Sequence, residues 1–267
     1  MSGPSKLGLA SSLRRTSSLF GVTLALALAV VLAFLVLPVV AIFTQQPPGA
    51  LIEALGEEGA LDALWLSLRT TAAALALILV VGTPAAYLLA TRRFRGRAAV
   101  ITLIELPLVL PPAVAGIALL AVAGDLQLGL SLTTAGVVVA LTFVSAPFYL
   151  RQAIAAFEAV DPTLLDASRT LGASPARTFA RVAIPTAAPG LVTGGALAFG
   201  RALGEFGATL MFAGSLAGIT QTAPLAIYER FATDFEAALA LSAVLVAVSA
   251  AILLSVKFVE GDALRHG

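Results

Sequence analysis

The sequence predicts an all-α, polytopic membrane protein with six transmembrane helices. Three observations predict it. Hydrophobic residues make up 59% of the 267 residues, against the roughly 45–50% of a soluble domain. Mean hydropathy is +1.00. The apolar residues gather into six runs, each near the ~20 helical residues that a bilayer crossing requires. Only 12% of residues are charged and the net charge is +1, so bulk charge gives no footprint for nucleic acid. The chain has no cysteine, which excludes disulfides, thiolate nucleophiles and Cys-ligated metals. Its single histidine, His266, lies in the C-terminal tail and reads as a solvated residue. No metal site is expected.

Residues 1–19 are Ser- and Gly-rich, carry Lys6, Arg14 and Arg15, and are expected as a cytoplasmic tail without regular structure. The run 20–43 is the first transmembrane helix. A cleaved signal peptide is the competing reading, but its apolar region spans only about 7–15 residues. Residues 44–62 hold Gln45, Gln46, two prolines and four acids, and read as an outer loop. A second span covers 64–90 and is followed by the basic linker Arg92–Arg97. The third, 98–123, contains Pro107, Pro111 and Pro112. These remove three backbone donors and force a kink, which a membrane tolerates only where the freed groups face protein or water. An outer loop at 124–131 leads to the fourth span, 134–157. The fifth runs over 187–213. A polar outer stretch, 214–236, precedes the sixth, 237–259, and a cytoplasmic tail, 260–267.

Arginine and lysine set the orientation. With both termini inside, thirteen of the sixteen basic residues fall on the cytoplasmic side, and only Arg69, Arg201 and Arg230 do not. The outer side carries Glu53, Glu57, Glu58, Asp62, Asp125, Glu229, Asp234 and Glu236. Such a rim does not steer a free anion inward.

No catalytic residues emerge. A phosphate-binding loop needs a GxxxxGK run, and the only lysines, Lys6 and Lys257, lie outside any such run. The chain is therefore expected to bind no cofactor, and any ATP-driven work requires ATP and Mg on a separate subunit. Two features within the spans invite a functional reading. Arg201 and Glu205, four residues apart, can pair on one helix face. They make either an internal ion pair that renders the helix tolerable in lipid or a lining for a pathway. Ala196, Gly200, Gly204 and Ala208 recur every fourth residue, a stripe along which another helix can approach closely. Glu105 sits just before the proline break, and is read as a hydrated or paired carboxylate or, alternatively, as a proton-coupling group.

The longest polar stretch between apolar runs is Asp166–Pro185, with three arginines and one acid. Asp161-Pro162 and Ser174-Pro175 are helix-start signals. Gly172 accepts a left-handed stop, and Ile184-Pro185 is expected to end the second short helix. Asp166-Ala167-Ser168, three residues, Gly172, nine residues and then Val182-Ala183-Ile184-Pro185 resemble the cytoplasmic loop of ABC-importer permeases. That family's pattern is Glu-Ala-Ala, three residues, Gly, nine residues, Ile-x-Leu-Pro. From about residue 64 onward the chain is similar to type I ABC importer permeases, and the segments 201–214 and 218–228 resemble the molybdate permeases among them; Pro107–Gly116 fits the same family. Sulfate/thiosulfate and tungstate permeases are near alternatives, and an ion-coupled secondary carrier a distant one. The resemblance implies the type I importer fold over 64–259. It implies a coupling loop at about 158–186, with Asp166, Ala167, Gly172, Ser174, Pro175, Ile184 and Pro185 facing an ATPase. It also implies partnership with a second copy of the chain, cytoplasmic ABC ATPase subunits and an extracytoplasmic oxyanion-binding protein, in the cell membrane. Candidates for the pathway or for helix packing are Arg201, Glu205, Gly200, Gly204, Thr209, Pro107, Pro111 and Pro112.

Overall fold

The computed structural model describes residues 6–45, 47–56 and 59–263. Gln46, Glu57, Glu58, Arg265 and His266 lie outside the described residues. The chain divides into two compact units, Met1–Gly49 and Ala50–Gly267. Among the described residues it is helical, without strands.

The first unit is built on α1 (Lys6–Thr44). Its backbone is helical from Lys6, well inside the stretch expected as an irregular tail. From Phe20 to Val40 its side chains are exposed within the chain, apolar on all sides. A helix with no polar face is the form that suits a hydrocarbon surround.

The second unit begins within α2 (Pro48–Gly56), a short helix in what the sequence suggested was plain loop. Its spans are α3 (Ala60–Thr91), the pair α4 (Arg97–Val109) and α5 (Pro112–Asp125), α6 (Thr134–Glu158), α9 (Ile184–Leu203) and α12 (Phe235–Ala263). Between α6 and α9 lie α7 (Pro162–Thr170), α8 (Pro175–Thr178) and a π-helical turn, Phe179–Ala183. After α9 come α10 (Gly207–Ala213) and α11 (Ala223–Phe231). Among the described residues of the chain, α1 included, five helices are long and apolar enough to cross a membrane, and α4 with α5 makes a sixth crossing when counted as one.

The core centres on α6, which packs between α3 and α9. Ile78 and Leu89 from α3, Tyr149, Ala153 and Phe157 from α6, and Ala187 and Leu191 from α9 are all buried there. Small residues set the separation: a Cβ on Gly190 would lie 2.4 Å from that of Ala156. Dispersion contacts at that spacing substitute for the hydrophobic drive that lipid does not supply. The core also holds a polar link between helices. Thr83 on α3 donates its hydroxyl to the Leu79 carbonyl of its own helix at 2.6 Å. Its oxygen is then left to accept from the Tyr149 hydroxyl of α6, also at 2.6 Å.

The structure departs from three further expectations. The third span is not merely kinked: α4 and α5 meet at 114°. Leu110 and Pro111 are extended and Pro112 opens α5, so the prolines end one helix and begin another. The fifth span is not continuous to residue 213. Its helix stops at Leu203, Gly204 caps it, and α10 starts at Gly207. Finally, Ile184-Pro185 does not end the second short helix. Ile184 N–H bonds to the Phe179 carbonyl five residues back, and the helix runs on into α9. Proline lacks a donor and crowds the carbonyl four residues before it, and the widened π turn lets the chain pass without a break.

Candidate functional site

The two interrupted spans meet close to their interruptions. A Cβ on Gly207 would lie 3.0 Å from Pro112 Cβ and 3.1 Å from Ala113 N. Further along the same contact, a Cβ on Gly116 would lie 2.6 Å from the Ala208 carbonyl oxygen and 2.8 Å from Met211 Cβ. Only glycine allows backbones this close. The half-helices α5 and α10 therefore pack directly on each other, with Ala115, Ala208 and Phe212 buried between them and α6.

Arg201 and Glu205 sit at the break of the fifth span. Arg201 Nη2 lies 2.5 Å from Glu205 Oε2, with the arginine side chain 24% exposed and the glutamate 1%. The other carboxylate oxygen, Oε1, accepts from Ala208 N–H at 2.7 Å. One carboxylate thus pairs with the cation at the end of α9 and caps the start of α10. A buried carboxylate needs such partners, because an uncompensated charge is costly to desolvate. Nearby in sequence, Thr209 is fully buried and its hydroxyl has no hydrogen-bond partner among the described residues; the same holds for Ser145 on α6.

The expected stripe is divided by the break. Ala196 and Gly200 lie on α9, Gly204 caps it, and Ala208 belongs to α10. A Cβ on Gly200 would meet nothing within 4 Å, and one on Gly204 only the Gly200 carbonyl oxygen at 3.6 Å. Ala208 lies at a close helix contact within the chain, opposite Gly116. Pro107 sits inside α4, away from the α5–α10 contact that includes Pro112. Glu105 is paired: its Oε1 is 3.6 Å from Arg151 Nε.

The second candidate region is the segment α7–α8. Asp161 caps α7, its Oδ1 accepting from Thr163 N–H at 2.9 Å. That bond holds its carboxyl below the usual carboxylate range. Gly172, with φ +83°, ends the helix. Gly172 N–H bonds to the Arg169 carbonyl at 2.9 Å and Ala173 N–H to that of Ser168 at 3.1 Å, the pair of bonds of a Schellman stop. Ser174 then caps α8, accepting from Arg177 N–H at 3.3 Å, with Pro175 following it. Ser168 Oγ and Thr178 Oγ1 lie 3.1 Å apart and tie the two helices together. Asp166 is exposed and pairs with Arg169 at 3.2 Å. Leu165 is buried in the main core, and Tyr87, Phe157 and Phe179 form an aromatic cluster that joins α3, α6 and the π turn. The outward face, with Asp166, Ala167, Ser174 and Pro185, stays exposed.

Two features of this region escaped sequence reasoning. The cap of Glu205 on α10 was hidden by the apolar continuity of 187–213; the glycines around it, Gly204 and Gly207, were the available signal. The Gly116–Ala208 contact joins residues too distant in sequence for any pattern to show.

Residues 78–261 match the family described as binding-protein-dependent transport system inner membrane component. The chain is 46% identical over 204 residues to the molybdenum transport system permease protein ModB of Mycobacterium tuberculosis, spanning 73% of this chain and 77% of that protein. It is 33% identical over 235 residues to the molybdate/tungstate transport system permease protein WtpB of Pyrococcus abyssi, spanning 87% and 92%. Among solved structures it is similar to a chain of a bacterial ABC transporter involved in the import of the acidic polysaccharide alginate. The TM-score is 0.72 at 17% identity, over 95% of this chain and 98% of that one. At that identity the likeness concerns the fold.

Proposed function

Since the chain belongs to the family of binding-protein-dependent transport system inner membrane components, we propose that it is the permease of an ATP-driven importer whose cargo is molybdate. The observation that carries the cargo is the 46% identity to a molybdenum permease over most of both chains. Charge and shape do not decide among molybdate, tungstate and sulfate, which are alike in both. Tungstate is the second reading, favoured by the relative named for both anions.

In this reading two copies of the chain form the path, an external protein delivers the anion, and ATP and Mg are held by separate cytoplasmic subunits. The termini and the α7–α8 segment face the cytoplasm, as the distribution of basic residues supports. The exposed face of α7–α8 docks on the ATPase, with Asp166, Ala167, Ser174 and Pro175 on that face and Gly172 setting the turn. Its motion passes through the π turn into α9, because Ile184 and Pro185 continue the helix.

Arg201 is the cation that meets the anion. A dianion is too costly to carry through hydrocarbon unaided, and Arg201 sits at a helix break with Thr209 nearby in sequence. Glu205 keeps the pair neutral. The anion is therefore held weakly and released, as conduction requires. Broken backbone around Pro111 and Pro112 supplies the facing wall.

The test is uptake of labelled molybdate by cells lacking the chain, with tungstate competition and sulfate uptake as controls. Molybdate uptake is expected to fall while sulfate uptake is unchanged. Loss of sulfate uptake alone overturns the assignment of cargo.

A further inference from the structure

We propose that the polar cavity beside α7 binds the phosphodiester headgroup of an anionic phospholipid. The cavity encloses about 510 Å³ between the end of α3, the start of α4, the end of α6 and α7. Arg93, Arg97 and Arg169 line it, against Glu158 and Asp166. Three cations face two carboxylates, so the cavity keeps one positive charge.

The arginines differ in freedom. Arg97 is fixed: Nε donates to the Leu89 carbonyl at 2.6 Å, and the guanidinium pairs with Glu158. Arg169 pairs with Asp166 on its own helix and remains half-exposed. Arg93 is exposed and has no ion pair among the described residues. A phosphate oxygen is the acceptor that suits a guanidinium fork.

Apart from Thr91, the remaining wall is apolar, with Phe157 and Leu165 among its residues. Next in sequence to the lining residues Arg93 and Leu165, Phe94 is 44% and Leu164 47% exposed. Cationic and apolar walls side by side match a headgroup joined to acyl chains more closely than they match a free anion. Basic pockets between spans at the cytoplasmic surface are recognised sites for anionic headgroups. Because α7 forms one wall, a lipid seated there braces the coupling segment. This rests on the orientation proposed above, which places this end of the spans at the inner leaflet.

The test is lipid retention by the delipidated, purified transporter, measured by native mass spectrometry with phosphatidylglycerol, phosphatidylcholine or inorganic phosphate added. Phosphatidylglycerol is expected to be retained and phosphatidylcholine not. In the double variant Arg93→Gln/Arg169→Gln its apparent affinity falls on the order of thirtyfold, from two lost surface cations. Arg95→Gln, which removes the same kind of charge from the same linker outside the cavity, leaves it unchanged. Equal affinity in the double variant overturns the site. Displacement of the lipid by inorganic phosphate at equal concentration overturns the lipid as occupant. Arg95→Cys, in a chain that has no cysteine, reports orientation separately. Labelling by an impermeant thiol reagent from outside overturns the orientation whatever the lipid does.

Discussion

At 171–174 the chain interrupts its helices and closes the open ends with local bonds, those of Gly172, Ala173 and Ser174. At 204–206 the interruption is closed by one carboxylate that also carries an ion pair, Glu205. The first break stands on the surface, where water can satisfy what the chain does not. At the second the Glu205 carboxylate is buried, so it depends on Arg201 and the Ala208 N–H. Damage at the first should alter motion and leave the fold intact; damage at the second should reach the fold itself. A membrane protein can thus keep its stability at one break and its signal at the other.

Glu205 is the sharpest way to break the comparison. Glu205→Ala removes the partner of Arg201 and the cap of α10 together. Removing one member of a buried pair costs about 3–5 kcal/mol, so the variant is expected to lose most of its folded material in detergent, read by thermal unfolding. Glu205→Gln retains an oxygen to accept from Ala208 N–H and is expected to fall between the two. Wild-type stability in Glu205→Ala would show that the pair holds nothing.

Gly116→Val addresses the packing of the two half-helices without touching charge. Its Cβ would press on the backbone oxygen of Ala208, which cannot rotate away. Overpacking of this kind costs about 1–3 kcal/mol. The thermal midpoint should fall by less than in Glu205→Ala, and an unchanged midpoint would place α5 and α10 further apart than described.

These two sites also divide what the sequence made legible from what it did not. The six spans follow from apolar runs, and the α7–α8 segment from Asp161, Gly172, Ser174 and their prolines, because caps and stops are local chemistry. The break at Gly204 was not legible, since Leu203, Phe206 and Ala208 keep the run apolar through it. The sequence pattern therefore placed Gly200, Gly204 and Ala208 on one face that the structure divides. Pro111 and Pro112 announced an interruption, but not its 114° angle, because that angle is set by the packing of α5 on α10.

Gly172→Ala sharpens the surface side of the comparison. Its φ of +83° disfavours a side chain, while nothing lies within 4 Å to clash with one. The cost is conformational alone, about 1–2 kcal/mol. The protein is expected to remain folded in the membrane, with ATPase activity in the assembled transporter no longer stimulated by cargo-loaded binding protein. Full stimulation would remove Gly172 from the coupling path.

Gly200→Ala gives the smallest effect and a sign opposite to the rest. Gly200 lies inside α9, exposed, and a Cβ there meets nothing within 4 Å. Glycine in a helix interior is less favourable than alanine by about 0.5–1 kcal/mol. If this surface faces lipid or water, the substitution raises the thermal midpoint slightly, in contrast to Gly116, where the added methyl group has no room. If a second copy of the chain packs there, the same methyl group enters a close contact and the midpoint falls with the fraction of dimer. Thermal unfolding alongside size-exclusion chromatography separates these outcomes. A raised midpoint with the dimer intact would confine close small-residue packing to the α5–α10 contact, and a falling dimer fraction would extend it to the exposed side of α9.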